Sequence, residues 1–265
     1  MAGMTQPLRP SPANEPVRRA EAGPWAIELL PANAYDARYV ASQSAIGFAF
    51  DSQRGVHAIG SDRVRPFLAT PNGLAFVPAG CDVYSTSARG GEYLRVVRTD
   101  GLPLAGAQPF NNRNDRQATA LALGMRRALL RASPTDEWEA WALALAARAA
   151  DEALPAAHGD AMTARRLGLL DEFIDAGLDG PLSVQAMATL LGLSEGYFLR
   201  AFKQATGQSP HSYLIDRRLA RARELLRNRR ARLADIALAC GFASQAHLAT
   251  AFKQRLGLSP SALRG

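Results

Sequence analysis

Cysteine is scarce in this 265-residue chain: Cys81 and Cys240 lie far apart, one in each half. Two separated thiols give neither a disulfide framework nor the paired spacing of a zinc site, and they fit a reducing compartment. Histidine is equally sparse. His57, His158, His211 and His247 form no H-x-H or H-E-x-x-H pair, so no metal, cofactor or catalytic constellation is expected. Long apolar runs are missing too. The richest, Trp138 to Ala147, meets Arg148 soon after and is too short to span a bilayer. Met1 to Pro10 lacks an apolar core of signal-peptide length. These absences predict a soluble cytoplasmic protein with no membrane partner. Lysine is the rarest charge, present as Lys203 and Lys253 alone.

Those two lysines mark a repeat. Ala201–Phe202–Lys203–Gln204 recurs unchanged as Ala251–Phe252–Lys253–Gln254, Gly207 recurs at Gly257, and Ser209–Pro210 at Ser259–Pro260. Upstream, the stretch from Ala188 to Gly192, Leu193 and Ser194 matches Ala237 to Gly241, Phe242 and Ala243, with the spacing to the tetrapeptide one residue shorter. A duplicated helix, glycine turn and helix presents two helices to two places on one long ligand, and duplex DNA is the obvious candidate. The charge falls in the same place. The net +7 resides in residues 164–265, with fifteen Lys or Arg against eight Asp or Glu, whereas residues 1–163 balance at sixteen each. A basic module joined to a neutral one suits phosphate binding with a separate sensing or assembly module.

The chain is long enough, at 48% hydrophobic residues, for two domains. Residues 1–23, rich in Pro, Ala and charge, are expected to be a disordered tail. Between Trp25 and Thr99 short apolar runs alternate with turn chemistry. Ile46–Phe50, Val56–Ile59, Phe67–Thr70, Leu74–Val77, Asp82–Thr86 and Glu92–Val97 are the strand candidates, divided by Pro71–Asn72–Gly73, Pro78–Ala79–Gly80 and Arg89–Gly90–Gly91. This predicts a small antiparallel barrel or jelly roll over residues 24–154. Helical spacing then takes over at Leu121, Met125 and Leu129. Ser133–Pro134 is expected to open a second helix striped by Trp138, Trp141, Leu145 and Ala149. This helical pair can close the barrel or face a second subunit, and spacing does not separate the two. Residues 155–163 read as a linker.

Residues 165–264 resemble the DNA-binding domain of the AraC/XylS family of bacterial transcription regulators. The likeness rests on Leu182–Ser183, Gly192–Leu193–Ser194, Phe202–Lys203, Gly207, Arg218 to Ala222, Ile236–Ala237, Gly241–Phe242, Phe252–Lys253 and Ser259–Pro260. Phe76 to Gly80 is similar to a segment of the cupin-type arm of such regulators. The resemblance implies a cupin-like, mostly-β N-terminal barrel with a helical hairpin, followed by an all-α domain (164–265) with two helix-turn-helix units. It further implies double-stranded DNA as partner, a small-molecule effector, homodimerisation, and contact with RNA polymerase if the protein is an activator.

Helical geometry assigns the DNA face independently. Phe198, Phe202 and Ala205 must face the core, which turns Gly196, Leu199, Arg200 and Lys203 outward. Arg200 is the leading base reader, because a guanidinium pairs with guanine through two parallel hydrogen bonds. Leu199 suits a thymine methyl, and Gly196 permits close backbone approach. In the second unit Leu248 and Phe252 point inward and leave Gln245, Ala246, Ala249, Thr250 and Lys253 outside. Family members often carry an arginine where this chain has Thr250, so this half is expected to contribute mainly backbone contacts and shape reading. Ser194, Lys203, Ser244 and Lys253 are the phosphate candidates. Arg217, Arg218, Arg221 and Arg223 on the connecting helix are weighted towards structural roles, with Arg221 and Glu224 spaced to pair.

Gly192 to Gly196 also fits the G-x-S-x-G of hydrolases, yet that motif needs a strand before the serine and a helix is expected there, with Ser194 as its successor's cap. Trp25, His57, Phe67, Phe76, Tyr84 and Tyr93 are the candidates to line an effector pocket, with ordinary core packing as the alternative for each. Two other functions compete with the effector-controlled regulator: a regulator controlled by a protein partner, and a cupin-like enzyme tethered to DNA.

Overall fold

The computed structural model describes residues 17–102, 104, 108–132, 135–151 and 162–264. The chain forms two units, Met1–Ala157 and His158–Gly265. The boundary falls in the expected linker, most of which (155–161) lies outside the described residues.

Ten strands build the first unit: β1 (Arg18–Ala22), β2 (Trp25–Leu30), β3 (Tyr35–Val40), β4 (Ala45–Ala49), β5 (Gln53–Ile59), β6 (Arg65–Ala69), β7 (Gly73–Val77), β8 (Asp82–Ser87), β9 (Tyr93–Arg98) and β10 (Phe110–Asn114). They make one six-stranded sheet, ordered β1-β2-β9-β4-β7-β10, and one four-stranded sheet, ordered β3-β8-β5-β6. Every pairing is antiparallel. The expected mostly-β domain is therefore present as two sheets. The disordered tail expected over 1–23 ends sooner, because Arg18–Ala22 pair residue for residue with Trp25–Leu29 across a turn at Gly23 (φ +52°). Residues 1–16 lie outside the described residues.

Alternation sorts the six-stranded sheet into two faces. Trp25, Ile27 and Leu29 share one face with Leu94, Val96, Ile46, Phe48, Leu74 and Phe76, and all are buried. Two helices cover this face. Helix α1 (Arg116–Arg131) starts at Asp115, whose carboxylate accepts the Ala118 amide at 2.6 Å, and ends at Ala132 in the left-handed region (φ 50°). Helix α2 (Trp138–Ala149) lies against α1 and touches β1, β2, β4 and β7. Arg18 on β1 donates to the Leu130 carbonyl at 3.3 Å, which fixes the side of the sheet on which the pair sits.

The helical pair thus packs on the barrel sheet through Met125, Leu129, Trp138, Leu145 and Ala149, while Leu121 and Trp141 remain half-buried. Helix α2 opens four residues later than the Ser133–Pro134 signal suggests, with Glu137 at the cap position and no side-chain capping bond. Ser133 and Pro134 themselves lie outside the described residues. Arg148 of α2 reaches the cap of α1, donating to Asp115 at 2.7 Å. Burial raises the Asp115 pKa, but the Arg148 guanidinium and the Ala118 amide together hold the carboxyl below its ordinary value.

The second unit is all helix: α3 (Ala164–Ala176), α4 (Val184–Leu190), α5 (Glu195–Thr206), α6 (Pro210–Leu226), α7 (Leu233–Ala239), α8 (Gln245–Leu256) and α9 (Pro260–Arg264). Local chemistry sets most ends. Thr163, Ser183, Ser209 and Ser244 each accept a backbone amide of the first turn. Gly207 and Gly257 close α5 and α8 in the left-handed conformation. The core is aromatic: Phe198, Phe202, Phe242 and Phe252 are almost wholly buried, and Phe202 meets Tyr213 of α6 at 5.4 Å between ring centroids. Cys240 is packed here as well. Burial pushes its thiol up to about 11, so it stays protonated and serves as a small apolar filler.

Candidate nucleic-acid interface

Two helix pairs carry the site. In each, a short helix (α4 or α7) meets a longer one (α5 or α8) across a glycine turn, Gly192 at φ +66° and Gly241 at φ +72°. Burial of Phe198, Ala201, Phe202 and Ala205 on α5 leaves Ser194, Gly196, Leu199, Arg200 and Lys203 exposed together. Gly196 lies beneath the Arg200 guanidinium, and a side chain there would come within 3.7 Å of it. On α8, burial of Leu248, Ala251 and Phe252 leaves Ser244, Gln245, Ala246, Thr250 and Lys253 exposed, with Ala249 half-buried.

Ser194 and Ser244 differ. Both occupy N-cap positions, but the Ser244 hydroxyl accepts the His247 amide at 3.1 Å whereas the Ser194 hydroxyl makes no capping bond. The cap expected at Ser194 is therefore positional only. Helix α4 precedes Ser194, so the strand context of a nucleophile elbow is lacking at this serine. Two further exposed residues border the faces, Tyr197 (45% exposed) and its repeat equivalent His247, whose ring sits edge-on to Phe242 at 5.2 Å. Sequence reasoning about arginine and lysine passes over both, although the fifty-residue repeat register aligns them.

Helix α6 carries both pairs. Its 17 residues span about 25 Å at about 1.5 Å per residue. Its arginines tie the domain together. Arg217 pairs with Asp175 of α3, beside the hydrogen bond from the Tyr213 hydroxyl to Asp171. Burial opposes the Arg217 charge, but the surrounding Tyr213, Asp171 and Asp175 hold its pKa above the ordinary value. Arg218 donates to the carbonyls of Leu178 (3.0 Å) and Gly180 (2.8 Å), and Arg221 pairs with Glu224 at 2.8 Å. From the other side, Arg255 of α8 donates to Ser212 of α6 at 2.8 Å and approaches Asp216 at 3.6 Å. These contacts orient α8 against the connecting helix. Arg200, Lys203 and Lys253 remain at the exposed reading ends.

The six aromatic pocket candidates fall on three different surfaces. Trp25 and Phe76 are buried on the helix-covered face of the six-stranded sheet. Tyr84 lies on the outer face of the four-stranded sheet beneath Arg38, beside a shallow depression of about 190 Å³ that Asp82 also lines. His57, Phe67 and Tyr93 face the space between the sheets, with His57 stacked on Phe67 at 4.9 Å. Cys81 is half-buried, and burial followed by the nearby Asp82 raises its thiol pKa, so it is no reactive thiolate. Among the described residues no group of three or more His, Cys, Asp or Glu is placed to hold a metal ion, and no helix is long and apolar enough to cross a membrane.

Residues 187–265 match a family profile described as a helix-turn-helix domain. Among curated proteins the chain is 33% identical over 93 residues to a probable transcriptional regulator, LumQ, of Photobacterium leiognathi, covering 35% of this chain and 38% of that protein. It is 37% identical over 107 residues to the HTH-type transcriptional activator RhaS of Escherichia fergusonii, covering 40% of this chain and 38% of the relative. The chain thus spans under two fifths of the length of these relatives. A crystal structure of a transcriptional regulator from Chromobacterium violaceum, with an AraC-type DNA-binding domain, is 32% identical over 38% of this chain and 89% of its own, with a TM-score of 0.36. At its C-terminus the protein carries an AraC/XylS-type helix-turn-helix domain.

Proposed function

We propose that the protein is a sequence-specific, duplex-DNA-binding transcription regulator. In this reading the C-terminal unit binds a bipartite site and the N-terminal unit senses a small effector, dimerises, or does both. One observation carries it: two exposed helix faces at α5 and α8, repeated in sequence and braced against one helix rich in structural arginines. The relatives support it, since LumQ is named a probable regulator and RhaS an activator of transcription. RNA polymerase is the further partner if this chain activates as RhaS does. A ligand switches such a protein only by binding one conformational state better than another.

The two helices divide the work unequally. Arg200 on α5 reads a base, and α8, with Thr250 at the matching place, supplies backbone contacts and shape reading through Gln245, Ser244 and Lys253. Selection of duplexes from a random pool by the full chain, followed by footprinting, tests the reading. It predicts an enriched two-part motif protected on one face of the helix; enrichment of nothing, at low salt, would contradict it. On the enriched site, Arg200→Ala is expected to relax preference at one base position at a cost of about 1–3 kcal/mol. Equal loss on every sequence would reassign Arg200 to the phosphates. Lys203→Ala should weaken all sequences alike and lower the slope of log affinity against log salt by about one. Titration over a range of salt concentrations reads that slope directly, and an unchanged slope removes Lys203 from the phosphate contacts.

A further inference from the structure

The inner faces of the two sheets are unlike an apolar core. On the six-stranded sheet the face turned away from α1 and α2 carries Glu28, Arg95, Gly47, Ala75 and Tyr93, with only small side chains through its centre. On the four-stranded sheet, alternation puts Tyr35, Ala37 and Tyr39 on one face with Ser85 and His57, while Asp36, Arg38 and Val40 on the opposite face are exposed. The first set faces the other sheet: Tyr93 feels the charge of Tyr35 and Tyr39, and Tyr39 that of Arg95. Burial, as the largest cause, raises the pKa of all three phenols, so they are neutral.

These inward groups are incompletely satisfied. The Tyr35 hydroxyl lies 3.2 Å from Ser85 Oγ. Among the described residues, the Tyr39 and Tyr93 hydroxyls and the His57 ring nitrogens have no hydrogen-bond partner. Gly47 leaves room for Tyr93 to lie flat across the sheet, since a Cβ there would fall 1.6 Å from the Tyr93 hydroxyl. Tyr35, Tyr39, Tyr93, Ser85 and His57 all stay half-buried although they point inward, so space remains around them. Buried donors and acceptors without protein partners require a partner from outside.

We propose that the space between the sheets is a binding chamber for an uncharged small molecule carrying several hydrogen-bonding groups. This deepens the reading of the N-terminal unit as an effector sensor, on which it rests. The chamber's charges are already matched: Arg95 donates to Glu28 at 2.8 Å, and Arg19 at the sheet edge approaches the same carboxylate at 3.5 Å. Burial lowers the His57 pKa and keeps the ring neutral near pH 7. An anion would meet Glu28 and a cation would meet Arg95. An uncharged ligand meets phenols, the Ser85 hydroxyl and a stacked His57–Phe67 pair, which suits hydroxyl or carbonyl groups on a flat or cyclic frame.

Small thiol-reactive probes of three different charges test the chamber in place of its ligand. Ser85→Cys in a Cys81→Ala background, in the full chain, is treated with methyl methanethiosulfonate or with its anionic sulfonatoethyl or cationic trimethylammonioethyl counterpart. Each rate is normalised to the same reagent's reaction with a free thiol. Ala37→Cys, on the same face, serves if Ser85→Cys fails to fold, and Val40→Cys on the outer face is the open control. The chamber predicts reaction with the uncharged reagent at least about tenfold faster than with either charged one at the inner cysteine, and no such preference at Val40→Cys. No reaction with any reagent means a packed interior, equal rates mean an open surface, and a faster anionic reagent means a different ligand class; each overturns the proposal. DNA binding by the same variants is measured separately. Its loss from the parent protein would strike the regulator reading and leave the chamber standing.

Discussion

Arg126→Met is expected to lower the unfolding free energy of the N-terminal unit by about 3–5 kcal/mol. Arg126 projects from α1 onto Glu92, which immediately precedes β9, and the pair is among the most deeply buried in the structure, with side-chain exposures of 11% and 1%. The guanidinium also lies over the Phe50 ring at 4.6 Å. Removing the arginine leaves a carboxylate in an apolar setting, and that uncompensated charge is the main cost. The pair itself contributes little net stability, because desolvating two ions offsets most of their attraction. The double change Arg126→Met with Glu92→Met should therefore recover most of the loss. All three tryptophans, Trp25, Trp138 and Trp141, lie in this unit, so urea unfolding followed by tryptophan fluorescence isolates it. A single-variant loss below about 1 kcal/mol would mean that water reaches and screens the pair.

The second large effect separates two glycines that occupy equivalent places in the repeat. Gly192→Ala should cost about 1–2 kcal/mol, the penalty of placing an L side chain in the left-handed region, because nothing lies within 4 Å of its added Cβ. Gly241→Ala carries the same backbone penalty at φ +72°, and in addition its Cβ would fall 2.3 Å from the Leu178 carbonyl oxygen and 2.6 Å from the Arg218 guanidinium. That carbonyl is an acceptor for Arg218, so the intrusion breaks the link between α6 and the segment leading into α4. A loss of about 3–4 kcal/mol is expected. Thermal unfolding of the helical circular dichroism signal reads both variants. Equal losses would show that Gly241 needs only its dihedral angle.

The C-terminal unit was legible because its signals are local. Ser183, Ser209–Pro210 and Ser244 start helices by their own hydrogen-bonding chemistry, and Gly192, Gly207, Gly241 and Gly257 adopt positive φ where a turn or stop needs it. The outward set around Arg200 follows from the phenylalanine spacing alone. The N-terminal unit was less legible because its strands are defined by distant partners. Tyr35–Val40 and Phe110–Asn114 carry Asp, Arg and Asn, and become strands by pairing with β8 and β7. Alternation divided Trp25 and Phe76 from Tyr93 but could not say which set met the helices. Both faces of the six-stranded sheet are covered, so hydrophobicity at Trp25 marked the helix side and gave no pointer to the chamber.

The central claim is that α5 and α8 are held in fixed register so that both engage one face of the duplex. Helical phasing tests it most directly. On a site enriched by selection, inserting about five base pairs, half a turn, between the two parts of the motif should abolish high-affinity binding by rotating one half to the far side. Insertion of about a full turn lengthens the span beyond the reach of a 17-residue connecting helix and should not restore it. Affinity unchanged by the half-turn insertion would contradict the account, since it would mean that the two helices do not bind the duplex as one rigid pair.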